Sequence, residues 1–180
     1  MTPNKKTHVF PFNLILIGFM GTGKSTVARY LGKTQHMEII EMDEEIAHRE
    51  GKSIPDIFAE KGEAYFRDVE SHLLKELQRE TNQILSCGGG IVLRPENITQ
   101  MKKNGKVILL TASPETVLER VKHDNSRPVL KNRKNIEDIA RLMDERRDKY
   151  LAAADLVIST DHKSISQICE EILTEVSCFC

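Results

Sequence analysis

Gly18-Phe19-Met20-Gly21-Thr22-Gly23-Lys24-Ser25 is the stretch that most limits how this 180-residue chain can fold. It has the pattern GxxxxGK[ST], follows a short apolar run and opens an amphipathic segment, the strand–loop–helix context in which such a loop wraps phosphates. Glycines let the backbone bend closely around an anion, so that consecutive N–H groups point at it, and the following helix adds its positive end. Lys24 is expected to reach the β- and γ-phosphates of a nucleoside triphosphate, and the Ser25 hydroxyl to bind Mg2+. Gly21, Thr22, Gly23 and Thr26 complete the expected cradle. The alternative is a glycine-rich turn that only resembles the motif. The loop is silent about what becomes of the triphosphate.

Short β-like runs alternate with helical segments along the chain, which implies an α/β fold with a parallel sheet and crossover helices. The expected strands are Asn13–Ile17, 38–42, Gln83–Ser86, 106–110 and 155–158, mostly unbroken runs of Ile, Leu and Val that suit strands covered on both faces. Helices are expected over 24–34, 43–50, 54–61, 63–80, 96–103, 114–123, 136–153 and 164–176. Ser53 with Pro55 marks a helix start and Gly62 a stop; Ser113 with Pro114 marks a second start. No repeat and no long linker divides the chain, so 1–180 reads as one domain. The stretch 123–135, with one proline and four basic side chains, interrupts two helices. It is either a solvated loop or a mobile lid over a phosphate.

Composition narrows the class further. Apolar residues at 39%, charged residues at 29% and no tryptophan describe an ordinary soluble domain. A formal net charge of -1 advertises no nucleic-acid partner. Cys87, Cys169, Cys178 and Cys180 form no zinc-type pairs, and reduced thiols of a cytoplasmic protein are expected. Lys5 and Lys6 before the apolar stretch 10–20 superficially look like a secretory signal. That stretch contains Asn13, has no small-residue cleavage site and runs straight into the glycine loop. No segment is long enough to span a bilayer, and a monomer is expected because no apolar stripe is left over.

Several polar residues fall where an acceptor site would be expected. Read as the end of a strand, Glu41 and Asp43 project to one side at the carboxyl edge of the sheet, beside the glycine loop. They could orient a Mg2+-bound water and take a proton from a hydroxyl, or Asp43 could simply cap the next helix. In 63–80, Phe66, Val69, Leu73 and Leu77 form an apolar stripe; Glu70 falls within about 60° of it and Arg67 at its edge. That pair is either a structural ion pair or a braced fork for a substrate carboxylate. Gly88-Gly89-Gly90 is either an inert turn or a place where a ligand touches backbone. Periodicity turns one of Arg146 and Arg147 inward without saying which.

These pieces, GFMGTGKST, the acidic pair before Glu44-Glu45-Ile46, GEAYFRDVE, GGG, Arg127-Pro128 and ER-x-x-x-Y, resemble the shikimate kinases in order and spacing over most of the chain. The resemblance implies a P-loop NTPase fold of the nucleoside-monophosphate-kinase type, with a five-stranded parallel sheet flanked by helices and a lid. It implies transfer of the γ-phosphate of MgATP to the 3-hydroxyl of shikimate, a step toward chorismate. Asp43 would hold the hydroxyls and act as base; Arg67, Arg146 and the strip Gly88, Gly89 and Gly90 would take the carboxylate side, with Glu70 bracing Arg67. Arg127 would reach the transferring phosphate from the lid, and Arg120 would lie against adenine. Arg146 is preferred to Arg147 because the family's arginine lies four residues before the tyrosine. The chain departs from the family at Glu41, where Asp is common, at Asp148, often proline, and at Cys87. The rival readings are another small-metabolite kinase, such as a gluconate kinase, and a nucleotide-controlled switch.

Overall fold

The five residues of β1, Asn13–Ile17, are all buried, and their alternation explains the unbroken apolar run. Leu14 and Leu16 face one layer while Ile15 and Ile17 face the other, so the strand is apolar on both faces after Asn13, whose buried side chain is hydrogen-bonded to Gln78, Glu80 O and the Gln83 N–H. The computed structural model describes residues 9–121 and 135–179. Around β1 the sheet adds β2 (Glu38–Glu41), β3 (Gln83–Ser86), β4 (Gly105–Thr111) and β5 (Leu156–Ser159), all parallel, in the order β2-β3-β1-β4-β5. Helices α1 (Lys24–Gln35) and α7 (Ile165–Val176) cover one face; α2 (Met42–Glu50), α3 (Ile54–Leu77), α4 (Pro95–Asn104), α5 (Pro114–Val121) and α6 (Ile136–Ala153) lie on the other.

Most boundaries follow the sequence pattern, and two differences bear on the site. Glu41 ends β2 and Met42 already opens α2, so Glu41 and Asp43 do not share one strand face. Asp43 is not a cap either: it lies in the first turn of α2, where its charge favours the positive helix end. Ser53 does cap α3, accepting from the Asp56 N–H. Gly62, expected as a stop, is a kink inside α3 at φ 80° and ψ 170°, after which the helix resumes to Leu77 rather than residue 80.

The topology brings three strand ends together. Leu16 of β1 pairs with Ser86 of β3, and Ser86 with Glu41 of β2, so the carboxyl edges of these strands stand level. From β1 the chain runs to β2 and β3 on one side and then crosses to β4 and β5 on the other, a reversal of strand order where open α/β sheets form their crevice. Expected lid residues 123–134, with Arg127, lie outside the described residues; Asn135 caps α6 by accepting from the Asp138 N–H.

Candidate active site

A cleft of about 730 Å3 opens over the carboxyl edges of β1, β2 and β3. Its floor at one end is the glycine loop, where Gly21 (φ 76°) and Gly23 (φ 95°) take left-handed conformations that side chains disfavour. Gly23 is the N-cap of α1, which leaves the first amides of that helix without helical acceptors. Lys24 curls back over the loop and donates to the carbonyls of Gly18 (2.8 Å) and Phe19 (3.0 Å). Gly21, Gly23, Lys24, Ser25 and Thr26 all line the cleft. The Thr22 side chain instead turns inward, fully buried, and donates to Phe19 O at 2.8 Å.

The Ser25 hydroxyl donates to Glu41 Oε2 at 3.0 Å, and the buried Glu41 Oε1 has no hydrogen-bond partner among the described residues. A hydroxyl and an uncommitted carboxylate oxygen at the lip of a phosphate loop are hard oxygen donors of the kind Mg2+ takes, directly or through water. The longer side chain of Glu41 thus reaches the same loop residue that the family resemblance links to the metal.

At the other end of the cleft stand Asp43, Arg67, Glu70, Arg146 and the strip Gly88–Gly89–Gly90. Arg67 donates to Glu70 Oε2 at 2.7 Å and to Glu63 at 3.3 Å. A Cβ on Gly90 would collide with the Arg67 guanidinium, and one on Gly88 would stand 2.7 Å from Asp43 Oδ1 and 3.1 Å from Glu70 Oε1. Bare backbone is therefore what lets the arginine and both carboxylates crowd the strip. Arg146 turns into the cleft and donates to Gly89 O at 3.2 Å, whereas Arg147 points outward to Asp144 at 3.0 Å. Ala47, Ile54, Phe58 and Phe66 form an apolar wall beside these charges, with the Phe58 and Phe66 rings 4.8 Å apart. The sequence pattern marked Phe66 as core and did not single out Phe58, Ile54 or Ala47; their only signal was apolar character on α2 and α3.

Burial governs the electrostatics here. Glu70 has no exposed surface, and burial pushes its pKa up to about 7 against the pull of Arg67, with Asp43 adding to the rise. Burial by itself would lower the Arg67 pKa, but Glu70 and Glu63 outweigh it and leave it raised. The sign for stability follows from the raised carboxyl. Below its unfolded pKa of 4.5 Glu70 is neutral in both states; through the interval up to about 7 the folded chain holds a proton the unfolded chain has lost, so stability falls as pH rises. The loss between pH 5 and 8 is expected to reach about 2–3 kcal/mol. Denaturant titrations of the wild type and Glu70→Gln at both pH values check it: the slope should flatten in the variant, and an equal slope would remove Glu70 as its source.

Arg120, at the end of α5, donates to Gly21 O (3.0 Å) and to Thr160 Oγ1 (3.2 Å), joining the phosphate loop to the loop after β5 on the outer side of the cleft. Lys163, in the loop after β5, pairs with Glu171 at 2.5 Å.

A parallel sheet in this order, with a phosphate loop after its central strand and a charged acceptor cleft over the neighbouring strands, defines a P-loop kinase of the nucleoside-monophosphate-kinase type. The shikimate kinase family model matches residues 20–177. A shikimate kinase of Persephonella marina is 46% identical over 165 residues, covering 91% of this chain and 98% of that one. The structure of shikimate kinase from Acinetobacter baumannii in complex with shikimate superimposes with a TM-score of 0.88 at 31% identity, over 93% of this chain and 94% of that one. The chain belongs to the shikimate kinase family. A gluconokinase from Sinorhizobium meliloti, at 15% identity and a TM-score of 0.57 over 96% of this chain and 95% of that one, shares the fold alone.

Proposed function

We propose that this chain transfers the γ-phosphate of ATP to the 3-hydroxyl of shikimate, giving shikimate 3-phosphate and ADP. The observation that carries the reading is the pairing of Arg67, braced by buried Glu70, with Arg146 across a bare glycine strip, in the same cleft as Lys24 and Ser25. Two arginines offer a planar carboxylate parallel N–H donors that lysines could not. In this reading the acceptor carboxylate lies against Arg67, Arg146 and Gly89, and its hydroxyl face turns toward Asp43. Asp43 orients the attacking hydroxyl and accepts its proton as the oxygen–phosphorus bond forms. Lys24 leaves the loop carbonyls for the β- and γ-phosphates and neutralises the charge that develops as the β–γ bridge breaks. Ser25 and Glu41 would hold Mg2+, which supplies charge neutralisation on the phosphate oxygens when bound. Positioning and electrostatics carry most of the rate, since this chemistry needs no covalent intermediate with the protein.

In this reading Arg120 would lie beside the adenine, and Arg127, outside the described residues, would reach the transferring phosphate. A single P-loop domain over 1–180, acting as a monomer in the cytoplasm, completes the proposal; Cys87, Cys169 and Cys178 are free thiols, as suits a reducing compartment. Among the described residues no helix is long and apolar enough to cross a membrane.

Release of ADP from ATP, measured with shikimate, with gluconate and with neither, tests the substrate. Shikimate alone should stimulate release. Stimulation by gluconate instead, or by neither, would contradict the assignment.

A further inference from the structure

We infer that Tyr150 is a positioning residue for the acceptor, its hydroxyl fixing the Gly89 carbonyl on which Arg146 is anchored. The inference rests on the acceptor reading above and extends it to a side chain that does not line the cleft.

The three carbonyls of the glycine strip are each tied down. Gly88 O accepts from the Ile91 N–H at 3.1 Å and Gly90 O from the Leu93 N–H at 3.0 Å, both through the 3-10 turn Ile91–Leu93. Among the described residues Gly89 O has no such backbone donor. It accepts instead from two side chains of α6, the Tyr150 hydroxyl at 2.5 Å and Arg146 Nη1 at 3.2 Å. The two donors lie four residues apart, one turn of the same helix, and converge on one oxygen. Tyr150 is only 4% exposed, so its ring is held by the core and its hydroxyl is a fixed point. Burial pushes the phenol pKa up to about 12 against the pull of Arg146, which keeps the group a neutral donor throughout the working range.

Arg146, by contrast, is half-buried on a long flexible stem, and a glycine peptide has no side chain to hold its plane. The hydroxyl removes both freedoms together: it fixes the peptide after Gly89, and that carbonyl then fixes one N–H of the guanidinium. The remaining donors of Arg146 are left aimed at the cleft, ready for the acceptor carboxylate.

Tyr150→Phe in the full chain keeps the ring and removes only the hydroxyl. The shikimate KM is expected to rise about tenfold, while kcat at saturating shikimate and the KM for ATP stay within about twofold of wild type. Arg146→Lys and the double variant complete a cycle. If Tyr150 acts through Arg146, Tyr150→Phe adds less than about twofold to the shikimate KM in the Arg146→Lys background. An unchanged shikimate KM, an equal rise in both KM values, additive effects in the cycle, or a Tyr150→Phe chain that does not fold would each overturn the positioning role. The wild type run alongside separates two failures. If shikimate does not stimulate the wild type, the acceptor reading falls and takes this inference with it; if it does and Tyr150→Phe behaves identically, only the inference falls.

Discussion

Arg67→Ala is expected to raise the shikimate KM by on the order of 10²–10³ while changing the KM for ATP less than about twofold. The size comes from what the substitution strands. In the proposed reading Arg67 is the fork for the acceptor carboxylate, and in the structure it is the counter-charge 2.7 Å from a carboxylate with no exposed surface. Removing it takes a bidentate partner from the ligand and leaves that ligand beside Asp43 and Glu70 with less positive charge. Glu70 limits the damage to the fold. Its pKa already stands at about 7, so without Arg67 it takes up a proton instead of remaining a buried unpaired charge. The stability loss is therefore expected to stay at about 1–3 kcal/mol. Initial rates with each substrate varied, together with a melting curve, check this. Parallel loss of both affinities in a folded variant would show that Arg67 is not dedicated to the acceptor.

Lys24→Met has the opposite signature. The stem volume is kept and the charge lost, so kcat is expected to fall on the order of 10³ with the shikimate KM little changed. The ammonium sits at the head of α1, on the carbonyls of Gly18 and Phe19, within reach of a phosphate in the loop. In the proposed mechanism its effect is greatest where charge moves during the step, between the β- and γ-phosphates. Steady-state turnover at saturating shikimate and ATP is the measurement. Retention of more than about a tenth of the wild-type kcat would exclude Lys24 from transition-state stabilisation.

The two ends of the cleft were unequally legible in the amino-acid sequence. The phosphate end is local: the loop, its preceding strand and the helix it opens occupy one continuous stretch, and the spacing of Gly18, Gly23, Lys24 and Ser25 states the geometry. The acceptor end is assembled from β2, α3, the turn after β3 and α6, and only partial signals survive in each. Helical periodicity turned Glu70 toward the core, where it is fully buried. The same periodicity could not separate Arg146 from Arg147, because both fall within one broad arc; the cleft side of α6 takes Arg146. Strand spacing misjudged Glu41 and Asp43, since the chain leaves β2 one residue early and Asp43 reaches the cleft from a helix turn. Three contacts had no local signal at all: Ser25 with Glu41, Arg120 with Gly21 O, and Tyr150 with Gly89 O. Each joins residues whose approach depends on strand order rather than on sequence distance. Gly62 gave a half-signal. A glycine marks a break in helical geometry, but whether the helix resumes depends on packing beyond it, where Phe66, Leu73 and Leu74 reach the core.

Identification of the phosphorylated product tests the central claim most directly. With ATP, Mg2+ and shikimate, phosphorus NMR should show one new monoester whose phosphorus couples to the proton on carbon 3, appearing in step with ADP. ADP appearing with inorganic phosphate alone, at the same rate whether or not shikimate is present, would contradict the account.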